Sequence, residues 1–137
     1  MKSQQNKTCL ITGATEGVGK MTAVELAKKG FAVVIAARNA AKAEIVRREI
    51  VTSTGNADVD YIVADLKSLK QIYQLAESFK QRYPKLDVLA NNAEIFAPTR
   101  MLTEDGYEST FQVNYLSHFS LTSLLIDELR KASKDGL

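Results

Sequence analysis

The sequence is short of the residues that mark several large functional classes. It holds one cysteine, Cys9, in 137 residues. A single thiol cannot close an internal disulfide, and Cys9 stands among apolar neighbours, so it reads as a buried, reduced and non-catalytic cysteine. There is one histidine, His118. With no second histidine and no cysteine pair, no metal site is expected. Neither sign of charge dominates: 18 basic and 16 acidic residues leave a net charge of +2. That balance argues against a nucleic-acid partner and against a polybasic membrane surface. No apolar run approaches a membrane span. The opening MKSQQNK is polar and lacks the apolar segment of a signal peptide, so a cytoplasmic setting is the expectation. What is present, 45% hydrophobic and 25% charged residues, is the composition of one globular domain over residues 1–137.

Short apolar runs alternate with helical periodicity. Strands are expected at 7–12 (KTCLIT), 31–37 (FAVVIAA), 59–64 (VDYIVA) and 87–91 (DVLAN). Between the first two, Val18, Met21, Val24 and Ala27 recur at helical spacing over 17–29, with Gly30 as the C-terminal cap. Asn39 can cap a second helix reaching about Val51, with Val46 and Ile50 one turn apart. Ser68 and Gln71 form a candidate capping box ahead of a third helix, whose inward face is Leu69, Ile72, Leu75, Ala76 and Phe79 and which Pro84 ends. Thr103 is expected to cap a long final helix to about Lys131, carrying Tyr107, Phe111, Tyr115, Phe119, Leu121, Leu124, Leu125 and Leu129. The β-α-β-α-β-α-β-α order, with a crossover-length connection after each strand, predicts an α/β fold: a doubly wound parallel sheet.

The stretch TGATEGVG ends the first strand and opens the first helix. Gly13, Gly17 and Gly19 let the backbone turn tightly there, and the helix start offers free N–H groups to a pyrophosphate. Glu16 is an awkward neighbour for an anion and is expected to point to water. About 20 residues beyond the first glycine, an acid would bind a ribose hydroxyl and an arginine a 2′-phosphate. No acid occurs from Phe31 to Ala43, while Arg38 stands at the end of the second strand. The reading is therefore NADP(H), against the alternative of a solvated surface arginine.

Taken together, TGATEGVG, AARN, ADL, NNAE and FQVNYLSHF resemble the short-chain dehydrogenase/reductase family, in the family's order and over nearly the whole chain. EDGYESTFQVNYLSHFSLTSLLIDEL looks most like the retinol-dehydrogenase and protochlorophyllide-reductase branches. The resemblance implies a Rossmann-type sheet, here incomplete, with four strands in the order 3-2-1-4. It implies that Gly13, Gly17 and Gly19 shape the pyrophosphate turn and that Thr15 and Val18 line the cofactor. Arg38 and Asn39 would hold the 2′-phosphate side, Asp65 and Leu66 the adenine, and Asn91 and Ala93 the ribose. Asn114 would be the family's catalytic asparagine, binding a water in a proton relay. Each has a plainer alternative: Asp65 shaping a turn, Asn91 and Asn92 serving a strand end, Asn114 as a polar residue on a helix. His118 would be structural.

Two departures stand out. The family's usual NNAG is NNAE here, so Glu94 replaces a glycine beside the cofactor. The family's Tyr-x-x-x-Lys pair is not found: four residues after Tyr61, Tyr73, Tyr83, Tyr107 and Tyr115 stand Asp65, Glu77, Asp87, Phe111 and Phe119. That tyrosine would supply the proton in carbonyl reduction. The chain is therefore expected to be the cofactor-binding portion of an NADP(H)-dependent oxidoreductase acting on an alcohol or carbonyl substrate of lipophilic character, inactive by itself. The alternatives are a non-catalytic NADP(H)-binding module and a dimerising scaffold. An open edge at the fourth strand predicts self-association or further sequence.

Overall fold

The computed structural model describes residues 7–136. The first six residues, on which the reading of the polar N-terminus rests, lie outside the described residues. Strands β1 (Thr8–Thr12), β2 (Ala32–Ala37), β3 (Val59–Val63) and β4 (Val88–Ala90) form one parallel sheet in the order β3-β2-β1-β4, as expected. Helices α1 (Gly17–Lys28), α2 (Ala40–Thr54) and α3 (Leu69–Arg82) make the crossovers. β1 and β2 are apolar at nearly every position because both of their faces are covered. Cys9, Ile11, Val33 and Ile35 pack with residues of α1 and α2, while Leu10, Val34 and Ala36 pack with α3 and the helices at the end of the chain. Burial pushes the Cys9 thiol up to about 12, which makes it a poor nucleophile. No helix among the described residues is long and apolar enough to cross a membrane.

The structure rotates the expected face of α1. Val18 and Met21 are exposed, and the buried residues are Gly19, Ala23 and Ala27, four apart. Small side chains at that spacing admit the closest approach to the sheet. α2 runs to Thr54 rather than Val51, and the Ser53 and Thr54 hydroxyls both donate to the Ile50 carbonyl. α3 carries half of its capping box. Ser68 Oγ accepts from Gln71 N at 3.3 Å, but Gln71 Oε1 accepts instead from Asp65 N at 2.8 Å. α3 ends at Arg82, and Tyr83, before Pro84, is extended.

The long helix expected from Thr103 is replaced by four shorter segments. Residues 101–108 fold back on themselves, with Leu102 bridging Glu108 and Thr103 N donating to the Tyr107 carbonyl. Thr103 Oγ1 is occupied by Asp105 N and by Gln112, so it caps nothing. The helical run starts at α4 (Ser109–Phe111), where Glu108 accepts from the Phe111 and Thr110 amides. Those two bonds hold the Glu108 carboxyl below its ordinary range. A π-helical segment (Gln112–Leu116) follows, then α5 (Ser117–Leu124), a break at Leu125 and α6 (Ile126–Gly136). Polar anchors account for the wider turn. Fully buried Gln112 donates to Asp105 Oδ2 at 2.9 Å, and Asn114 pairs with the Ile95 backbone. Leu121 and Leu125 are buried. Tyr107, Phe111, Tyr115 and Phe119 lie exposed, four residues apart, with the first three in successive ring contact.

Candidate functional site

A cleft of about 740 Å³ opens at the C-terminal ends of the strands. This is where ligands bind in open α/β sheets, and its size suits a small-molecule ligand. Ala36 and Ala37 at the end of β2, and Ala64 just beyond β3, leave room for it. These alanines were not singled out in the sequence, although small residues where an apolar strand runs out are a usable signal.

The glycine turn rims one wall. Gly13 has φ 65°, and a Cβ there would stand 2.7 Å from Ala93 Cα, so only glycine allows the two backbones to meet. Gly17 has φ 58° with nothing within 4 Å of a Cβ, so the main chain lies bare to the cleft. Gly19 is buried behind the turn, and a Cβ on it would collide with the Gly13 carbonyl and with Asn92 Nδ2. Glu16 occupies the cap position of α1 and makes no side-chain capping bond, whereas Asn39 and Ser68 cap α2 and α3. The first amides of α1 are therefore left for an anion. Glu16 is exposed, as expected, yet it also lines the cleft. An extended anion such as a pyrophosphate fits this bare, uncapped backbone.

The end of β4 is held against the turn by Thr12, which the sequence reading passed over, and by Asn92 in the strand-end role given above as its plainer alternative. Buried Thr12 Oγ1 accepts from Asn92 N at 3.1 Å and Ala93 N at 3.0 Å. Asn92 Nδ2 donates to the Gly13 carbonyl at 3.0 Å. Asn91 Nδ2 reaches the other way, to Thr122 Oγ1 at 3.0 Å. His118 Nε2 lies 2.9 Å from the Ala93 carbonyl, which can only accept, so this nitrogen carries the proton. His118 thus ties α5 to the end of β4.

Charge divides the cleft. At the β2–β3 end, Arg38, Lys42 and Lys67 line it, and none of these side chains has a hydrogen bond or ion pair among the described residues. Other cations are committed: Arg47 and Arg48 to Glu44, Arg82 to Asp60, Lys20 to Glu49. Asp65 Oδ1 accepts from Lys67 N at 2.9 Å, so the turn-shaping alternative for Asp65 is realised at that oxygen. At the β4 end stands Glu94, exposed and without a hydrogen bond or ion pair among the described residues.

Of the residues assigned to the cofactor, Gly13, Thr15, Gly17, Val18, Arg38, Asn39, Asp65, Leu66, Asn91 and Ala93 all line this one cleft, and Gly19 shapes it from behind. Asn114 lines a neighbouring shallow groove with Asn91 and His118. Its amide is committed to Ile95, accepting from N at 2.8 Å and donating to O at 2.9 Å.

The comparisons agree with this geometry. Mouse retinol dehydrogenase 13 is 42% identical over 127 residues, covering 93% of this chain and 38% of that protein. Human polyprenol dehydrogenase is 39% identical over 131 residues, covering 96% of this chain and 40% of that protein. The chain thus spans about two fifths of the length of these curated relatives. Among solved structures, the Pseudomonas aeruginosa RhlG/NADP active-site complex superposes with a TM-score of 0.80 at 30% identity, over 95% of this chain and 50% of that one. An alcohol dehydrogenase from the archaeon Thermococcus sibiricus, complexed with 5-hydroxy-NADP, has a TM-score of 0.80 at 26% identity, over 92% of this chain and 54% of that one. The family pattern described as short chain dehydrogenase matches residues 7–136. A cleft built by a glycine turn on a parallel sheet, and a match that runs through every element around it, lead to one conclusion: this chain belongs to the short-chain dehydrogenase family.

Proposed function

We propose that the chain is the cofactor-binding portion of an NADP(H)-dependent oxidoreductase that exchanges a hydride with an alcohol or carbonyl substrate. The observation that carries this reading is the pairing, in one cleft, of a bare glycine turn with a guanidinium at Arg38 that is uncommitted among the described residues. Bound NADP(H) would supply the hydride. The chain's own residues would bind and orient it. Gly13, Gly17 and the α1 amides take the pyrophosphate, with Thr15 and Val18 beside it. Arg38 and Asn39 take the 2′-phosphate, Asp65 and Leu66 the adenine, and Asn91 and Ala93 the ribose. Asn114 serves the proton relay from the π-helical segment, and its amide fixes the Ile95 backbone at the β4 end. A lipophilic alcohol, aldehyde or ketone is the substrate class, supported by relatives named for retinol and polyprenol. Titration with NADPH and with NADH, read by cofactor fluorescence, tests the reading. Saturable binding with clear preference for NADPH is expected; no binding of either by the folded chain would remove it.

Self-association belongs to the same proposal. It is supported by the exposed row Tyr107, Phe111, Tyr115 and Phe119, and by a β4 that pairs only with β1 among the described residues. Sedimentation velocity across a hundredfold concentration range should show a rising average mass. A constant monomer mass would contradict it.

A further inference from the structure

The charges that line the cleft are sorted by position. Arg38, Lys42 and Lys67, uncommitted among the described residues, outnumber Asp65 at the β2–β3 end, and the carboxylate of Glu94, uncommitted among the described residues, stands at the β4 end. The glycine turn and Glu16 lie between them, over β1. An oxidised dinucleotide phosphate has a matching distribution: its 2′-phosphate is anionic, and its nicotinamide ring carries a positive charge that the reduced ring lacks. A cofactor with its 2′-phosphate at the Arg38 end and its pyrophosphate on the Gly13 turn extends its nicotinamide toward the β4 end.

We infer that Glu94 is a specificity-determining residue that favours the oxidised over the reduced form of the cofactor. This rests on the NADP(H) reading of the cleft. The two forms carry the same phosphates, so the fields of Arg38, Lys42, Asp65, Lys67 and Glu16 act on both alike. Only a charge near the ring distinguishes them, and Glu94 is the lining carboxylate at that end. The carboxylate attracts the oxidised ring and has no comparable attraction for the neutral reduced one. While both cofactor and substrate are bound, this shifts the internal balance toward oxidised cofactor and alcohol. The overall equilibrium of the reaction stays where it was.

The glutamate also replaces a glycine expected from the resemblance, so a charge now stands where the family pattern has none. Because Glu94 is exposed, water screens it, and a bias of roughly three- to tenfold in relative affinity is the expected scale.

The test is calorimetric titration of the chain with NADP⁺ and with NADPH separately, at fixed ionic strength. It is repeated for Glu94→Gln, Glu94→Asp and Glu16→Gln. Glu94→Gln should lower the ratio Kd(NADPH)/Kd(NADP⁺) by roughly three- to tenfold. Glu94→Asp should keep most of the bias, because the charge remains. Glu16→Gln should tighten both forms and leave the ratio alone. An unchanged ratio in Glu94→Gln, with both forms still binding, overturns the inference. So does an equal change of the ratio in Glu16→Gln, because the bias would then be a diffuse field. If the unaltered chain binds neither form, the NADP(H) reading beneath it fails, and that outcome is distinct from the other two.

Discussion

Replacing Arg38 with alanine should weaken NADPH binding by about ten- to a hundredfold and NADH binding by less than about threefold, since one charge-assisted guanidinium–phosphate contact contributes roughly 1.5–3 kcal/mol. The position of Arg38 sets both numbers. It follows the last residue of β2 and lines the cleft, and its guanidinium has no partner to give up among the described residues. Binding a phosphate therefore breaks no existing ion pair, unlike at Arg47 or Arg82, whose guanidinium groups are held by Glu44 and Asp60. NADH has no 2′-phosphate and forfeits only a diffuse attraction. Lys42 lines the same end from the first turn of α2, beyond the Asn39 cap. Lys42→Ala should cost less, since an ammonium lacks the planar fork. The preference should shrink with added salt because the site is open to solvent. Fluorescence titrations of both variants decide it. Equal losses for the two cofactors would show that Arg38 supports the fold of the cleft and does not read the phosphate.

The sheet and its crossovers were legible because period and punctuation agree along the chain. β2 is apolar on both faces, Asn39 and Ser68 cap where expected, and Pro84 follows the end of α3. The glycine wall of the cleft was legible because glycine positions carry their meaning locally, and Arg38 lines the same cleft. The failures have a common cause, which is competition from polar partners that the apolar pattern does not register. Thr103 reads as a cap until Gln112 and Asp105 occupy its hydroxyl. Gln71 reads as the return arm of a capping box until the Asp65 amide takes its oxygen. The π-helical turn has no signature in apolar spacing, since it follows from Gln112 and Asn114 being anchored to Asp105 and Ile95. Thr12 was missed because its hydroxyl bonds across about 80 positions of sequence separation. Hydrophobic pattern identifies which elements form; long-range polar bonds decide how the ends of those elements are held, and the site lies at those ends.

Two glycines of one turn should respond to the same substitution to different degrees, and the contrast separates folding from binding. Gly13→Ala has two costs. Its φ of 65° strains any side chain, by about 1–2 kcal/mol. Its Cβ would also stand 2.7 Å from Ala93 Cα and 3.0 Å from Ala93 N. Those are backbone atoms and cannot rotate away. Ala93 N donates to Thr12 Oγ1 at 3.0 Å, so moving it also loosens a bond to a buried hydroxyl. Overpacking of this kind adds roughly 1–3 kcal/mol. The sum, roughly 2–5 kcal/mol, should lower Tm by about 6–15 °C in a chain of this size. Cofactor binding should fail with it, because the β4 end lines the cleft. Gly17→Ala meets nothing within 4 Å and has only the strain of φ 58° to bear. Its Tm should fall by no more than about 6 °C. Its methyl would nevertheless project where the backbone lies bare to the cleft, so NADPH affinity should drop severalfold in a chain that remains folded. Thermal melts monitored by circular dichroism, followed by NADPH titration below the lower Tm, distinguish the two. If Gly13→Ala melts within a few degrees of the unaltered chain, Ala93 is free to move, and the close approach of the two backbones is not what holds the cleft in shape.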